Sequence, residues 1–258
     1  MKLLLTNDDG IEAPGLQALA KTLEKEHEIL VAAPASEKSA SSHSISLGQD
    51  LVIEERAPRR FAIHGTPVDC VKFALSELKD FQPDLLVSGI NPAPNTGVSV
   101  YYSGTISAAR EGLINRVPAV AISVADKKVT DFSFACAFSV LLVEAFRDKV
   151  FPPGTLLNVN IPDLPESEIK GVKIARQAPS RFIEEFVLEN HTGNRRIYSL
   201  AGEIQIFDPD GTTDVEVVSD GFIAITPLKL DLTDYATVPR LVEWWKKREA
   251  SWLTPKPT

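Results

Sequence analysis

Short runs of consecutive apolar residues, each followed by a polar turn, alternate with helical periodicity through the first half of the chain. Runs that are apolar at every position are typical of strands buried on both faces of a parallel sheet. Between the first two runs, Leu16, Leu19 and Leu23 recur at the spacing that places side chains on one face of a helix. The buried strands predicted in this way are residues 2–6, 28–33, 85–87 and 118–124.

This alternation predicts an α/β fold, because a strand–helix–strand unit joins parallel strands through a right-handed crossover. We expect three layers, α/β/α, around a mostly parallel, Rossmann-like sheet. The second half departs from the pattern: residues 181–200 alternate loosely around a turn at 191–194, which predicts a long β-hairpin. Residues 238–246 predict a final amphipathic helix, so a C-terminal hairpin and tail are expected to leave the core.

Two adjacent carboxylates follow the first predicted strand, in the sequence Asn7-Asp8-Asp9-Gly10. Ligands of open α/β sheets bind outside the carboxyl ends of the strands, and a hard divalent cation would relieve the repulsion between Asp8 and Asp9. Asp-Asp-Gly is also an ordinary turn sequence. The pair is therefore a candidate metal site whose assignment depends on what the other strand ends bring beside it.

Polar loops follow all four predicted strands, and in a parallel sheet they emerge at one edge. The second strand leads into a Ser-rich loop at residues 34–49, and the third is followed by Ser88-Gly89-Ile90-Asn91. A helix begins near Ser103 and Thr105, where free backbone N–H groups form a potential phosphate cradle. Each stretch alone also fits an ordinary turn or helix start, but their convergence predicts one acidic site lined by hydroxyl and amide groups.

Composition narrows the class of protein. The 258 residues carry a net charge of −8, which disfavours a nucleic-acid polymer as partner because such binders present a basic face. Cys70 and Cys136 are the two cysteines, too few for a disulfide framework and typical of a reducing compartment. We see no signal peptide and no apolar stretch long enough for a membrane span. These features favour a cytoplasmic protein without membrane contact.

Taken in order, the motifs resemble the SurE family of stationary-phase survival proteins. The match rests on Asn7-Asp8-Asp9-Gly10, Ser39, Gly65-Thr66-Pro67-Val68-Asp69-Cys70, Ser88-Gly89-Ile90-Asn91 and Tyr102-Ser103-Gly104-Thr105, and the strand at residues 221–227 is also similar to the family. Each piece is weak alone, whereas the ordered set is specific and spans most of the chain. One departure is Ala93, where the family usually has glycine two residues after the metal-binding Asn.

The resemblance implies a metal-dependent phosphatase acting on nucleoside 5′-monophosphates, on 3′-monophosphates as well, and in some members on short polyphosphate. It places one divalent ion per subunit, Mg²⁺, Mn²⁺ or Ca²⁺, on Asp8, Asp9, Ser39 and Asn91, and the two Asp residues are also the candidate catalytic groups. By the same resemblance the substrate-contacting residues are Asn7, Asn95, Ser103, Gly104 and Thr105. A homodimer or homotetramer is implied, joined through the C-terminal hairpin and tail.

For the domain organisation we predict a single domain over residues 1–258. Residues 1–125 would form the metal- and phosphate-binding core, and 126–258 would complete the core and add the hairpin arm and the C-terminal helix.

Two other classes of protein fit parts of the pattern. A phospho-receiver signalling module also carries paired acids after its first strand and binds Mg²⁺, but it needs an acceptor Asp at a later strand end, where this chain has Ser88-Gly89-Ile90-Asn91. A nucleotide-sugar transferase would normally show a second substrate domain. The mechanism also stays open at this stage, since either water or Asp8 itself could attack the phosphorus.

Overall fold

The computed structural model describes residues 1–126, 128–249 and 252, and it confirms the predicted α/β fold. Nine strands of the described residues form one mixed, mostly parallel sheet in the order β3-β4-β2-β1-β5-β6-β7-β11-β8. Its strands are β1 (Lys2–Thr6), β2 (Glu28–Pro34), β3 (Ile53–Ala57), β4 (Arg60–Ile63), β5 (Leu85–Asn91), β6 (Ala119–Val124), β7 (Leu156–Ile161), β8 (Val172–Ile174) and β11 (Ile223–Leu228).

Strands β9 (Ser180–Thr192) and β10 (Arg195–Ile206) pair separately, as a two-stranded antiparallel ribbon. This ribbon is the predicted hairpin. Most of its residues are exposed, including large apolar ones such as Phe186 and Leu200. A ribbon of two strands has edges whose backbone groups lack ladder partners, and this one therefore presents both apolar side chains and open edges to its surroundings.

Helices cover both faces of the large sheet, because successive side chains of each strand point to opposite faces. Leu3 and Leu5 of β1 pack in the same core as α1 and α5, whereas Leu4 packs in the core formed with α2 and α4. The helices are α1 (Pro14–Leu23), α2 (Pro67–Glu77), α3 (Ser99–Tyr102), α4 (Gly104–Ile114), α5 (Ser133–Arg147), α6 (Asp214–Ser219) and α7 (Val238–Lys246), with a 3-10 turn at Glu166–Glu168.

Parallel pairing of β2, β1, β5 and β6 places the carboxyl ends of these strands at one edge, as the sequence predicts. One boundary differs. Strand β5 was expected to end at Val87, but it continues to Asn91 because Asn91 pairs with Ser123 after an irregularity in the ladder. Asn91 is thus the last residue of a strand rather than part of the following loop.

The chain divides into two compact units, Met1–Leu228 and Lys229–Thr258. The first holds the sheets and α1–α6. The second contains α7, whose residues are exposed within the described chain, with Trp244 and Trp245 in tilted contact. No helix among the described residues has the length and apolarity needed to cross a membrane.

Candidate functional site

The turn after β1 is fixed by Asn7. Its Nδ2 donates to the Gly10 carbonyl at 2.9 Å, and the Gly10 N–H donates back to Asn7 Oδ1 at 3.2 Å. Side chains of this type commonly close turns by bonding to nearby backbone. Both polar atoms of the side chain therefore act on the turn that presents Asp8 and Asp9, while the predicted contact of Asn7 with substrate stays a prediction.

Asp8 lies against the start of helix α4. The side chain is buried and accepts a short hydrogen bond from the Thr105 hydroxyl. Burial raises the pKa of Asp8, while the Thr105 hydroxyl and the nearby backbone of Thr105 and Gly104 act to lower it. The beginning of α4, predicted as a phosphate cradle, thus also stabilises the negative charge of Asp8.

Gly104 makes this approach possible. A Cβ atom at position 104 would lie 2.7 Å from the Asp8 Cβ, 2.8 Å from Asp8 Oδ2 and 2.8 Å from Ser41 Oγ. Contacts that short are not tolerated between carbon atoms, so the carboxylate reaches the helix because residue 104 has no side chain. Ser103 caps the same helix, its hydroxyl accepting from the Ile106 N–H at 3.0 Å.

Asp9 carries the clearest sign of a missing partner. Its Oδ2 is buried and has no hydrogen-bond partner among the described residues. Burial, followed by the charges of Asp8 and Glu37, raises the pKa of Asp9 to about 7. A buried carboxylate oxygen without a donor is costly, and a cation would offset this cost together with the repulsion from the neighbouring carboxylate.

A cleft of about 420 Å³ opens at this edge of the sheet, a volume within the range of about 300–1,000 Å³ that is usual for small-molecule sites. It brings together five of the residues that the sequence analysis selected from distant positions. Those five are Asp8, Ser39, Asn91, Asn95 and Ser103. Gly104 and Thr105 contact Asp8, and Asp9 follows Asp8 in the chain and is affected by its charge, but these three residues are not part of the cleft lining.

Ser39 is brought to the cleft by its loop, which the Lys38 N–H fastens to the Asp8 carbonyl at 2.7 Å. The Ser39 side chain is exposed, and its hydroxyl donates to Glu37 Oε1 at 2.7 Å. That geometry leaves the lone pairs of the hydroxyl oxygen available as acceptors. The oxygen of a serine placed in this way can coordinate a cation while its hydroxyl group donates a hydrogen bond to Glu37.

Asn91 presents its side-chain oxygen from the end of β5. Its Nδ2 donates to the Ala93 carbonyl at 2.5 Å, so the amide nitrogen is engaged and the oxygen is the atom left for a ligand. Ala93, the departure from the family sequence, has no positive φ. The loop therefore accommodates alanine without the left-handed backbone that favours glycine.

Asn95 is held by Ser123, at the end of the fourth predicted strand, and by two residues that the sequence analysis did not select, Asn158 and Asn160. Its Nδ2 donates to Ser123 Oγ at 2.9 Å, its backbone N–H donates to Asn160 Oδ1 at 2.7 Å, and its carbonyl accepts from Asn158 Nδ2 at 2.7 Å. Asn158 and Asn160 lie on the same face of the fully buried strand β7. The sequence signal that could have identified these two residues is the pair of amide side chains at alternate positions of an otherwise apolar strand.

The oxygen atoms of this site suit a hard divalent cation. Two carboxylates, an amide oxygen and a hydroxyl oxygen come from Asp8, Asp9, Asn91 and Ser39, and cations such as Mg²⁺ and Ca²⁺ prefer such ligands. No group of three or more His, Cys, Asp or Glu side chains among the described residues is placed to hold a metal ion by itself, so a metal ion here would need the neutral oxygens of Asn91 and Ser39 as well. The orphaned oxygen of Asp9 fits the same interpretation.

Comparisons with known proteins find similar sequences over nearly the whole chain. The family described as "Survival protein SurE" matches residues 3–184. The chain is 42% identical over 248 residues to a protein named 5′-nucleotidase SurE from Desulfatibacillum aliphaticivorans, covering 95% of this chain and 98% of the relative. It is 44% identical over 241 residues to the protein of the same name from Moorella thermoacetica, covering 92% and 93%.

Comparison of the fold with solved structures identifies the same family. The crystal structure of the SurE protein from Aquifex aeolicus superposes with a TM-score of 0.83 at 33% sequence identity, covering 95% of this chain and 99% of that one. Sequence matches of this extent, together with the shared fold, establish descent rather than a local motif. The chain belongs to the SurE family.

Proposed function

We propose that the protein is a metal-dependent 5′-nucleotidase, which hydrolyses nucleoside 5′-monophosphates to nucleoside and phosphate. The observation that carries this proposal is the cleft in which Asp8, Asn91 and Ser103 meet, with Asp9, whose Oδ2 has no partner among the described residues, next to Asp8 in the chain. The names of relatives more than 40% identical over nearly the whole chain support the same reaction. We extend the proposal to the hydrolysis of 3′-monophosphates and of short polyphosphate, because these substrates also carry a terminal phosphate group.

One divalent cation per subunit, Mg²⁺, Mn²⁺ or Ca²⁺, is proposed to be held by Asp8, Asp9, Ser39 and Asn91. When bound, it supplies positive charge that offsets the negative charge developing on the phosphate. The donor set contributes two full negative charges and two neutral oxygens. The two positive charges of the cation would balance the two carboxylates, so the ligands and the cation together would add no net charge to the cleft.

The chain itself positions the reacting groups. Thr105 fixes the Asp8 carboxylate by a hydrogen bond, and Gly104 allows it to reach the start of α4. Ser103 and Asn95 line the cleft, and we propose that their polar atoms contact the phosphate. Attack on the phosphorus by water and attack by Asp8 both fit this geometry, and a trapped phospho-aspartyl intermediate at Asp8 would exclude the direct attack by water.

Assembly is proposed to use the hairpin and the C-terminal tail, as a homodimer or homotetramer. The ribbon exposes Phe186, Leu188 and Leu200, and apolar side chains on an open-edged ribbon are typical of surfaces that a partner covers.

The test of the activity is phosphate release from a panel of 5′- and 3′-nucleoside monophosphates. The protein is first treated with a chelator, and Mg²⁺, Mn²⁺ or Ca²⁺ is then added back. We expect no release after chelation and recovery with at least one metal, greatest on 5′-monophosphates. Absence of release from every nucleotide, while the metal still binds in calorimetry, would contradict the proposal and favour a receiver-like binding role.

Substitution of Gly104 by alanine tests the positioning of Asp8. The added methyl group would collide with the Asp8 side chain, and overpacking of this kind costs about 1–3 kcal/mol of stability. Because a displacement of about 1 Å in an active site lowers turnover by about 100-fold, we expect kcat for AMP to fall far more than stability. Full activity in the Gly104→Ala variant would show that the approach of Asp8 to α4 is irrelevant to turnover.

A further inference from the structure

The base of the β9–β10 hairpin also lines the cleft. It contributes Phe182, Gly202, Glu203 and Ile204, in addition to the oxygen-rich residues described above. Phe182 and Ile204 are directly paired across the two strands, so their side chains stand on the same face of the ribbon. The lining of the cleft therefore combines charged and polar groups with an apolar surface on one face of the ribbon.

Gly202 shapes this apolar surface. It pairs with Glu184, two positions along from the Phe182–Ile204 pair, and so lies on the same face. A Cβ atom there would be 2.8 Å from Cε1 of Phe182 and closer still to the Ile183 carbonyl oxygen. The Phe182 ring leans across position 202 because no side chain stands in its way.

The Phe182 ring is available for a ligand. It is half-buried, and within the described part of the chain it is in none of the stacked, tilted or edge-to-face aromatic contacts. An aromatic side chain that lines a polar cleft without an aromatic partner is suited to stack on a planar ring. A nucleoside monophosphate has the matching polarity, with a phosphate at one end and an aromatic base at the other.

We propose that Phe182 and Ile204 form the base-binding platform of the nucleotide site, with the Phe182 ring stacked on the nucleobase while Asp8 and Ser103 lie at the phosphate end. This inference rests on the proposed nucleotidase function and adds the residues that recognise the nucleoside. Stacking on an aromatic face depends little on which base is present. The platform therefore accepts purine and pyrimidine nucleotides alike and favours purines, whose larger ring system covers more of Phe182.

The test compares AMP with ribose 5-phosphate, which carries the same phosphate and sugar but no base. In the Phe182→Ala variant we expect kcat/KM for AMP to fall by about ten-fold or more, in line with the loss of one base–aromatic stack. Activity on ribose 5-phosphate is expected to stay at the wild-type level. Phe182→Tyr should restore AMP hydrolysis, and Phe182→Leu should give an intermediate value because it keeps an apolar contact without a ring.

Phe186→Ala is the matched control. Phe186 lies on the same strand and the same ribbon face, farther from the cleft, and its side chain is 66% exposed. Loss of this ring is expected to leave the ratio of AMP to ribose 5-phosphate unchanged. Size-exclusion chromatography of all variants shows whether assembly is preserved.

Several outcomes would contradict the assignment of Phe182 to the base-binding platform. Equal losses on AMP and ribose 5-phosphate in Phe182→Ala, or no loss on AMP, would show that Phe182 does not contact the base. A selective loss in Tyr102→Leu instead would assign the base to the other aromatic residue of the cleft.

Equilibrium affinities of AMP and ribose 5-phosphate, measured by calorimetry with Mg²⁺, provide a second readout. They keep the inference separate from the catalytic proposal: wild-type protein that binds AMP through Phe182 but releases no phosphate would contradict the nucleotidase function and leave the platform supported. Equal affinities of wild type and Phe182→Ala for AMP would contradict the platform itself.

Discussion

Replacement of Asp9 by asparagine is expected to lower phosphate release from AMP by about 10²–10³-fold. The cation that Asp9 is proposed to hold would be bound less well, and losses of this size are typical when stabilisation of transition-state charge is removed. The variant keeps the shape of the side chain and loses its charge. Because Oδ2 of Asp9 is buried without a partner among the described residues, the fold does not depend on that charge. Turnover at saturating AMP and Mn²⁺ measures the effect, and calorimetry measures the affinity for the metal.

The same substitution should stabilise the metal-free protein at alkaline pH. The pKa of Asp9 is raised to about 7 by burial and by neighbouring carboxylates, so the folded protein binds this proton more tightly than the unfolded chain does. The stability that protonated Asp9 contributes therefore falls as the pH rises from about 4 to about 7, and it is fully lost above that range. The asparagine side chain of the variant does not titrate, and we expect the chelated variant to melt at a higher temperature than wild type at pH 8, with a smaller difference at pH 5.

Asp80→Asn is the control for the Asp9 prediction. Asp80 is an exposed aspartate that lies outside the cleft-lining residues, and its substitution changes the net charge by the same amount. We expect wild-type turnover and wild-type affinity for the metal. An Asp9→Asn enzyme with wild-type turnover and metal affinity would refute the assignment of Asp9 as a ligand.

The predicted fold is confirmed where the signal was local. Strands β1 and β2 could be identified because each contains a run of consecutive apolar residues, 3–5 and 29–33, and helix α7 occupies the predicted 238–246. Helix α6 was missed because six residues are too few to show a period. Its capping box, formed by Thr213 and Glu216, was the one sequence signal that marked it.

The positions of the site residues followed from topology. Parallel strands end at one edge, and that rule alone predicts Asp8 and Asn91 in one cleft. The groups that hold these residues did not follow from the sequence, since they are tertiary contacts without a spacing rule. Asn160, for example, bonds to the Asn95 backbone across 65 residues of chain, and the hairpin base reaches the cleft from residues 182 and 204.

Asp214 is the second residue whose replacement should have a large effect, in this case on stability. The carboxylate is completely buried and accepts from three backbone N–H groups: Gly97 at 3.0 Å, Ala178 at 2.9 Å and Val215 at 2.9 Å. It thereby joins the loop that carries Asn95 to the base of the hairpin. Burial raises the pKa of Asp214, and these N–H groups oppose that rise.

In Asp214→Asn, one acceptor oxygen is replaced by an NH₂ group that faces backbone donors. A buried donor that loses its acceptor costs about 1–3 kcal/mol, and hydrogen bonds to a charged group are the stronger kind. We expect the free energy of unfolding to fall by about 3 kcal/mol or more, because at least two such bonds are weakened. Urea denaturation followed by circular dichroism measures the change, and a higher KM for AMP in the folded variant would report displacement of the Asn95 loop.

Asp210→Asn provides the comparison, because Asp210 belongs to the same acidic segment but is exposed. Its carboxylate pairs with Arg176 at 2.9 Å, with half of the Asp210 side chain open to solvent. An exposed ion pair of this kind contributes about 0–1 kcal/mol, so the urea midpoint should move little and the KM for AMP should stay unchanged. Equal destabilisation by both substitutions would mean that Asp214 acts through its charge alone. A selective loss in Asp214→Asn, with a raised KM, would instead show that the hairpin base and the Asn95 loop are coupled through one buried carboxylate.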